Sequence, residues 1–302
     1  MRPSRRVRRT LTRARLLLRR ARQRPVTAAL AIILLGIALL ALPVLLRTPR
    51  GDRLWADEFA RTTTAALNAD GTVSFRNMRD WSYGDGRVRT EDWISTLTVN
   101  PGDIVKVWFI LEPFAEWKAV GHTFLSFELT DGSAYAFSVE ARREQGERYS
   151  TVKGLFREYE LTYTWGTERD LITRRLLYLK HPLRMYPLAV SPQAAQTLFR
   201  GLIQKSNDLA AHPRFYNTIG ANCTNMLATL VNQISPGTVP LDITWYLPGH
   251  SDEFLMRIGL IKTDMSVTQT QAAYDLTPKR AQVLEIAQSP HAAFGTALRR
   301  IP

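Results

Sequence analysis

One cysteine, Cys223, stands in 302 residues, and that scarcity rules out an internal disulfide. The spacings of a metal site are missing too: there is no Cys-x-x-Cys and no His-x-x-x-His. Beyond His122, the histidines His181, His212, His250 and His291 are scattered, two of them before proline. No glycine-rich phosphate loop or dinucleotide fingerprint occurs, so the expectation is that neither a metal nor any other cofactor is required. Acidic residues are absent from the first 25 positions, which hold eleven arginines. The net charge of +13 is therefore local and leaves +2 on the rest of the chain. Such a tail beside an apolar run fits anionic lipid headgroups better than RNA, and no nucleic-acid partner is expected. Repeats, low-complexity runs and long charge blocks are missing from residues 50–302, which read as one domain.

What is present begins with VTAALAIILLGIALLALPVLL, residues 26–46, a 21-residue run without charge. It is long enough for a bilayer core of roughly 30 Å and reads as a transmembrane helix. A secretory signal has a shorter apolar core and a small-residue cleavage site, so an uncleaved anchor is expected. RRTL after Val7 resembles a twin-arginine signal but lies far from the apolar run. The arginines keep residues 1–25 in the cytoplasm and put everything after Arg47 on the other face. In a bacterium this describes a single-pass inner-membrane protein with a periplasmic domain. Thiols in oxidising compartments usually pair, so an unpaired one stands out. The plain alternative is a small buried hydrophobe.

With 45% hydrophobic residues the chain can fill a core. Ile104 to Leu111 is dense in β-branched and aromatic residues and predicts a buried strand. HTFLSFEL (122–129) and YAFSVEAR (135–142) alternate around TDGS, as a hairpin does. Further strands are expected at 159–165 and 176–188, where prolines suggest edges. Ser191 and Pro192 open a helix with Ala195, Leu198, Phe199, Leu202 and Ile203 on one face. After Cys223, the set Met226, Leu227, Leu230, Val231 and Ile234 predicts a second helix, stopped by Ser235-Pro236-Gly237. Ser251 caps a last one. The expected class is α+β, a mainly antiparallel sheet with helices packed on it. The domain is placed at residues 50–265, and 266–302 form a C-terminal extension that is amphipathic at best.

In the hairpin, His122, Ser126 and Glu128 share one strand face, and Ser138, Glu140 and Arg142 share one face of the partner. The apolar faces coincide only if even residues pair with even, which requires a three-residue loop containing Gly132. His122 then faces Glu140 or Arg142, and a carboxylate beside an imidazole orients a general base. The alternative is a solvated polar strand face. Cys223 falls in the first turn of its helix with Asn222 as cap, where peptide dipoles favour a thiolate and free N–H groups can receive an oxyanion. Spacing alone does not bring His122 to Cys223.

Six blocks carry a resemblance: HTFLSFELTDG, SVEARREQGERYS, GLFREYELTY, TERDLITRR, FYNTIGANCTNML and LPGHSDEFLMRIGLI. In that order they resemble the Lnb N-terminal periplasmic domain family, from about Arg79 to Ile261. The histidine-strand, then asparagine-cysteine-helix order is also similar to circularly permuted NlpC-type papain-like folds, including the lecithin retinol acyltransferase group. The resemblance implies a papain-like domain acting as a lipoprotein N-acyltransferase. It would move a fatty acyl chain from a phospholipid or diacylglyceryl donor to the N-terminal amine of a bacterial lipoprotein. Carried over, Cys223 is similar to the nucleophile, His122 to the base and Glu140 to the third member. Ser138 and Arg142 share its face, Tyr216 resembles a tyrosine near the oxyanion and Asn222 precedes the nucleophile, and these four are the expected oxyanion or substrate-binding residues. Two other readings use the same residues: a cysteine peptidase or amidase of the envelope, and a non-catalytic scaffold around a buried Cys223. An apolar groove beside Cys223 would favour acyl transfer, and a polar trench peptidase work.

Overall fold

Short alternating segments and capped helices follow one another from Thr64 to Arg299 in the computed structural model, which describes residues 25–114 and 117–301. The basic tail expected at residues 1–25 falls, but for Pro25, outside the described residues. Two units are distinguished, Met1–Thr48 and Pro49–Pro302. The first contains α1 (Pro25–Leu45), a helix of 21 residues without a charged side chain, whose large apolar side chains are mostly exposed. Its uninterrupted run of described side chains is 29–45, and among the described residues no helix is long and apolar enough to cross a membrane. The structure thus supplies a helix where the span was expected, and does not establish the span.

Among its described residues the second unit contains ten strands: β1 (Thr64–Leu67), β2 (Val73–Arg79), β3 (Ser82–Gly84), β4 (Arg87–Thr90), β5 (Trp93–Val99), β6 (Ile104–Glu112), β7 (His122–Leu129), β8 (Ala134–Arg142), β9 (Glu160–Thr167) and β10 (Arg184–Pro187). Eight of them form a sheet in the order β1-β2-β9-β8-β7-β6-β10 with β5 on β2, while β3 and β4 make a separate ribbon. The pairings are antiparallel except for a parallel bridge between Arg79 and Gly166. The β7–β8 register joins Phe124 to Ser138 and Ser126 to Ala136, even to even. Leu129 N–H donates to Ser133 O at 2.9 Å, leaving a three-residue loop in which Gly132 has φ 83°. Only glycine reaches that conformation without a Cβ penalty.

The segment 176–188 departs from the expected strand. Helix α2 (Glu168–Thr173) runs into a π-helical turn, Arg174–Tyr178, and only β10 pairs, at the sheet edge that tolerates Pro187. A brief apolar run such as Leu176-Leu177 does not reveal its own period, and here it points into a core from a helix.

Helices α3 (Pro192–Ala211), α4 (Cys223–Ile234) and α5 (Ser251–Arg257) share a core with the odd-numbered residues of β7 and β8, among them Leu125, Phe127, Phe137 and Val139. Trp165 sits within it, its ring 5.0–5.2 Å from those of Phe137, Phe75 and Phe199. After α6 (Val267–Ala273), α7 (Arg280–Ile286) and α8 (His291–Arg299) close a second core with α2 on the opposite face, where Phe124 and Ala136 meet Leu171, Val283 and Phe294. The even face is therefore covered rather than solvated, and the C-terminal extension is the cover. Its polar residues find protein partners: Ser126 donates to Glu168 at 2.7 Å, and Arg299 holds Glu168 and Glu128 at 2.8 and 3.0 Å.

Phe294 is fully buried in the second core. Phe294→Ala should lower unfolding stability by about 3–5 kcal/mol, read from a denaturant midpoint. An unchanged midpoint would mean that the C-terminal helices contribute nothing to the fold.

Candidate functional site

Helix α4 starts at the thiol because of its cap. The Asn222 Oδ1 accepts from Thr224 N and Asn225 N, both at 2.9 Å, and Asn225 Oδ1 accepts from Asn222 N at 2.8 Å. This reciprocal box fixes Cys223 as the first helical residue. Asn222 Nδ2 donates to Thr218 O and Trp245 O at 3.0 and 3.2 Å. Asn222 is thus fully used as scaffold, which corrects its expected role toward substrate or oxyanion. The same bonds occupy Thr224 N and Asn225 N, leaving the Cys223 N–H as the first-turn donor for an oxyanion.

His122 opens β7, and the hairpin register carries Glu140 opposite it. Its Nε2 donates to Ser138 Oγ at 2.8 Å and lies 3.2 Å from Glu140 Oε1, while Ser138 Oγ donates to the same carboxylate oxygen at 2.7 Å. Nδ1 is the ring nitrogen that remains, and His122 and Cys223 lie close enough for each to shift the other's titration. The Sγ is also 3.8 Å from Gly121 O and from Thr224 Oγ1. Burial pushes the thiol up, but the His122 charge and hydrogen bond outweigh it and hold Cys223 below its ordinary value. Burial disfavours the imidazolium, yet the Glu140 and Cys223 charges raise His122 to about 10. Burial likewise opposes the Glu140 carboxylate, and His122 and Arg175 together hold it well below the usual range. Both shifts run in the direction that favours a thiolate beside an imidazolium.

Behind this couple lies a residue the sequence reading passed over. The Arg175 guanidinium is 1% exposed, donates to Glu140 at 2.6 Å and to Glu112 at 2.9 Å, and lies 4.4 Å from the Phe124 ring centroid. Glu112 in turn receives His181 Nδ1 at 2.6 Å, a second carboxylate–histidine couple facing the same cavity. Glu112 read as a strand end, Arg175 only as part of a resembling block, and His181 as one of the scattered histidines. No spacing rule links them, because they come together from three separate elements.

The expected substrate-side residues divide. Tyr216 lines the cavity, its Oη 3.2 Å from that of Tyr149. Ser138 is fully buried and relays His122 to Glu140 instead of meeting substrate. Arg142 is turned away: its guanidinium donates to Phe59 O at 2.8 and 3.2 Å and covers Trp55 at 4.2 Å. The cavity offers about 240 Å³ that water centres can reach and includes Cys223, His122, Tyr216, Arg143, Arg174 and His181 in its walls. A second, apolar cavity of about 120 Å³ is walled by Leu125, Leu198, Leu227, Val231 and Phe254. Thr123 and Thr224 also line it, and their hydroxyls bond at 2.9 Å beside the thiol. Among the described residues no group of three or more His, Cys, Asp or Glu side chains is placed to hold a metal ion.

A thiol held below its ordinary value, an imidazole beside it and a half-buried carboxylate behind that imidazole can attack a carbonyl and protonate the leaving group. The family model described as the Lnb N-terminal periplasmic domain matches residues 89–248, an interval containing Glu112, His122, Glu140, Arg175 and Cys223. No curated protein and no solved structure matches the chain.

Alkylation of Cys223 by iodoacetamide should report the ion pair. The thiol is lowered and the imidazole raised, so both charges coexist between the two values, and the rate should rise through a midpoint below the free-thiol value of about 8.5. His122→Ala should move that midpoint upward, since the largest influence opposing burial is then gone. A wild-type midpoint at or above the free-thiol value would refute the ion pair.

Proposed function

The chain belongs to the Lnb N-terminal periplasmic domain family, an envelope domain, and on that premise we propose that it is a membrane-anchored thiol acyltransferase. It moves a fatty acyl chain through a Cys223 thioester onto the N-terminal amine of bacterial lipoproteins. The observation that carries this reading is the placement of Cys223 and His122 in one cavity of the matched region, with His122 braced by Ser138 and Glu140. The donor is the ester of a phospholipid or diacylglyceryl group. Cys223 thiolate attacks its carbonyl carbon, the oxyanion is met by the Cys223 N–H with Tyr216 nearby, and the intermediate collapses as His122 gives its proton to the departing alkoxide. The products of this half are a free alcohol and a thioester, with His122 neutral. The acceptor amine then attacks the thioester and loses a proton to His122, and the thiolate departs to restore the pair. No cofactor takes part.

Residues 26–46 act in this reading as a single inner-membrane anchor, with the arginine tail cytoplasmic and the catalytic unit periplasmic. Their support is sequence chemistry: α1 is apolar on every side, which suits lipid better than a surface seat. Tethering confines enzyme, donor and acceptor to one bilayer surface and raises their effective concentration.

Mass spectrometry of lipoprotein N-termini should find the N-acyl group in cells carrying the wild-type chain and background levels with Cys223→Ser, because the hydroxyl is far harder to ionise than the thiol. His122→Ala should be nearly as damaging, and the double variant no worse than either single one, since the two act as a unit. N-acylation by folded Cys223→Ser protein would end the mechanism. Release of free acid that an added amine acceptor does not divert would point to a hydrolase. Reporter fusions after Arg50 should be active only outside the cytoplasm, and cytoplasmic activity would overturn the topology.

A further inference from the structure

The apolar cavity beyond Thr123 and Thr224 is built more like a ligand site than a packing gap. Protein interiors leave few voids larger than a water molecule, yet about 120 Å³ stays open where Phe109 of β6 and Leu125 of β7 meet α3, α4 and α5. Small side chains where the helices face it, Ala194 and Ala195 on α3 and Ala228 on α4, make the room. Several hydroxyls on its wall have partners: Thr123 bonds Thr224, Thr238 donates to Ser235 O at 2.8 Å, and Ser251 to Pro248 O. One does not. Thr244 Oγ1, on a residue 6% exposed, makes no hydrogen bond of good geometry, although the Asp242 carboxylate that accepts from Thr244 N lies beside it. A buried hydroxyl without a well-formed bond is destabilising, and an oxygen of a ligand in the cavity would supply one. The next residue, Trp245, accepts from Asn222 Nδ2, so the loop bearing the orphan is tied to the cap that sets the thiol.

We propose that this cavity receives the unbranched acyl chain handled by Cys223, with the Thr244 hydroxyl donating to an oxygen of the ester or thioester that carries the chain. The proposal rests on the acyl-transfer reading and names where its substrate lies. Hydrocarbon suits the lining, whereas peptide groups placed there would go without partners. The Thr123–Thr224 pair stands between thiol and cavity and must part to admit the chain. Ala228 faces the space, so the side chain at that position limits the length accepted.

The test uses the full chain in phospholipid nanodiscs with palmitic acid bearing a terminal diazirine. Irradiation should label peptides within 191–203 and 224–239, and unlabelled palmitate, but not octanoate, should compete. Ala228→Phe fills the space and should cut labelling about tenfold and shift any transferred chain to shorter lengths. Thr244→Val keeps the shape and removes the orphan hydroxyl, so thermal stability should hold or rise. Donor affinity should meanwhile weaken about tenfold. Wild-type labelling confined to α1 or the outer surface overturns the proposal, as does labelling that neither variant changes. The two readings separate: a labelled cavity with no transfer to any amine removes the transferase and leaves a lipid site. Transfer with an unlabelled cavity removes the site and leaves the transferase.

Discussion

A buried cation has to be matched, and Arg175 imposes that requirement on the whole site. With 1% exposure it cannot be satisfied by water. Its charge is met by Glu112 and Glu140, each within 2.9 Å, and by the face of Phe124. Removing one member of such a set would strand the others in a medium that does not support isolated charge. Glu140 is therefore held ionised, and through Ser138 and His122 that charge reaches the thiol. Arg175 belongs to the π-helical turn after α2, which packs in the second core. The C-terminal helices that close that core and the couple that activates Cys223 thus share a foundation.

Two devices of different range meet at the nucleophile. The Asn222–Asn225 capping box is local and positions Cys223 at the start of α4 from residues within four positions of it. Activation is remote: His122 stands 101 residues earlier and arrives at the end of an interior strand of the sheet. Separating placement from activation explains why the thiol can be buried and yet held below its ordinary value. Burial alone would raise it, and the opposing charge of His122, with smaller help from hydrogen bonds of His122, Thr123 and Thr224, reverses the sign.

Elements with strict periodicity were legible. Alternation along 122–129 and 135–142 dictated the even-to-even register and hence the Glu140–His122 contact, because a shift of one residue would turn the apolar sets outward. The α4 cap was legible for a similar reason, being built from adjacent residues. Elsewhere the pattern ran out. The five strands before Ile104 are short and partly exposed, so their alternation is weak. Arg142 obeys face parity with Glu140 but ends β8, where its long side chain swings to Phe59 and Trp55. Parity places a Cβ, and at a strand end it does not place a guanidinium.

By itself the sequence determined the α+β class, the hairpin register, the cap that sets Cys223 and the concentration of charge ahead of an apolar run. These follow from periodicity and from contacts within a few residues. Only the tertiary structure decided which of those residues share a cavity. It brought Glu112, Arg175 and His181 to the site, removed Arg142, committed Asn222 to its cap and turned the C-terminal extension into the cover of a second core. The reason is that burial and charge compensation act through space. A cation such as Arg175 is matched by whatever carboxylates the folded chain delivers, and nothing in their spacing along the sequence records the meeting.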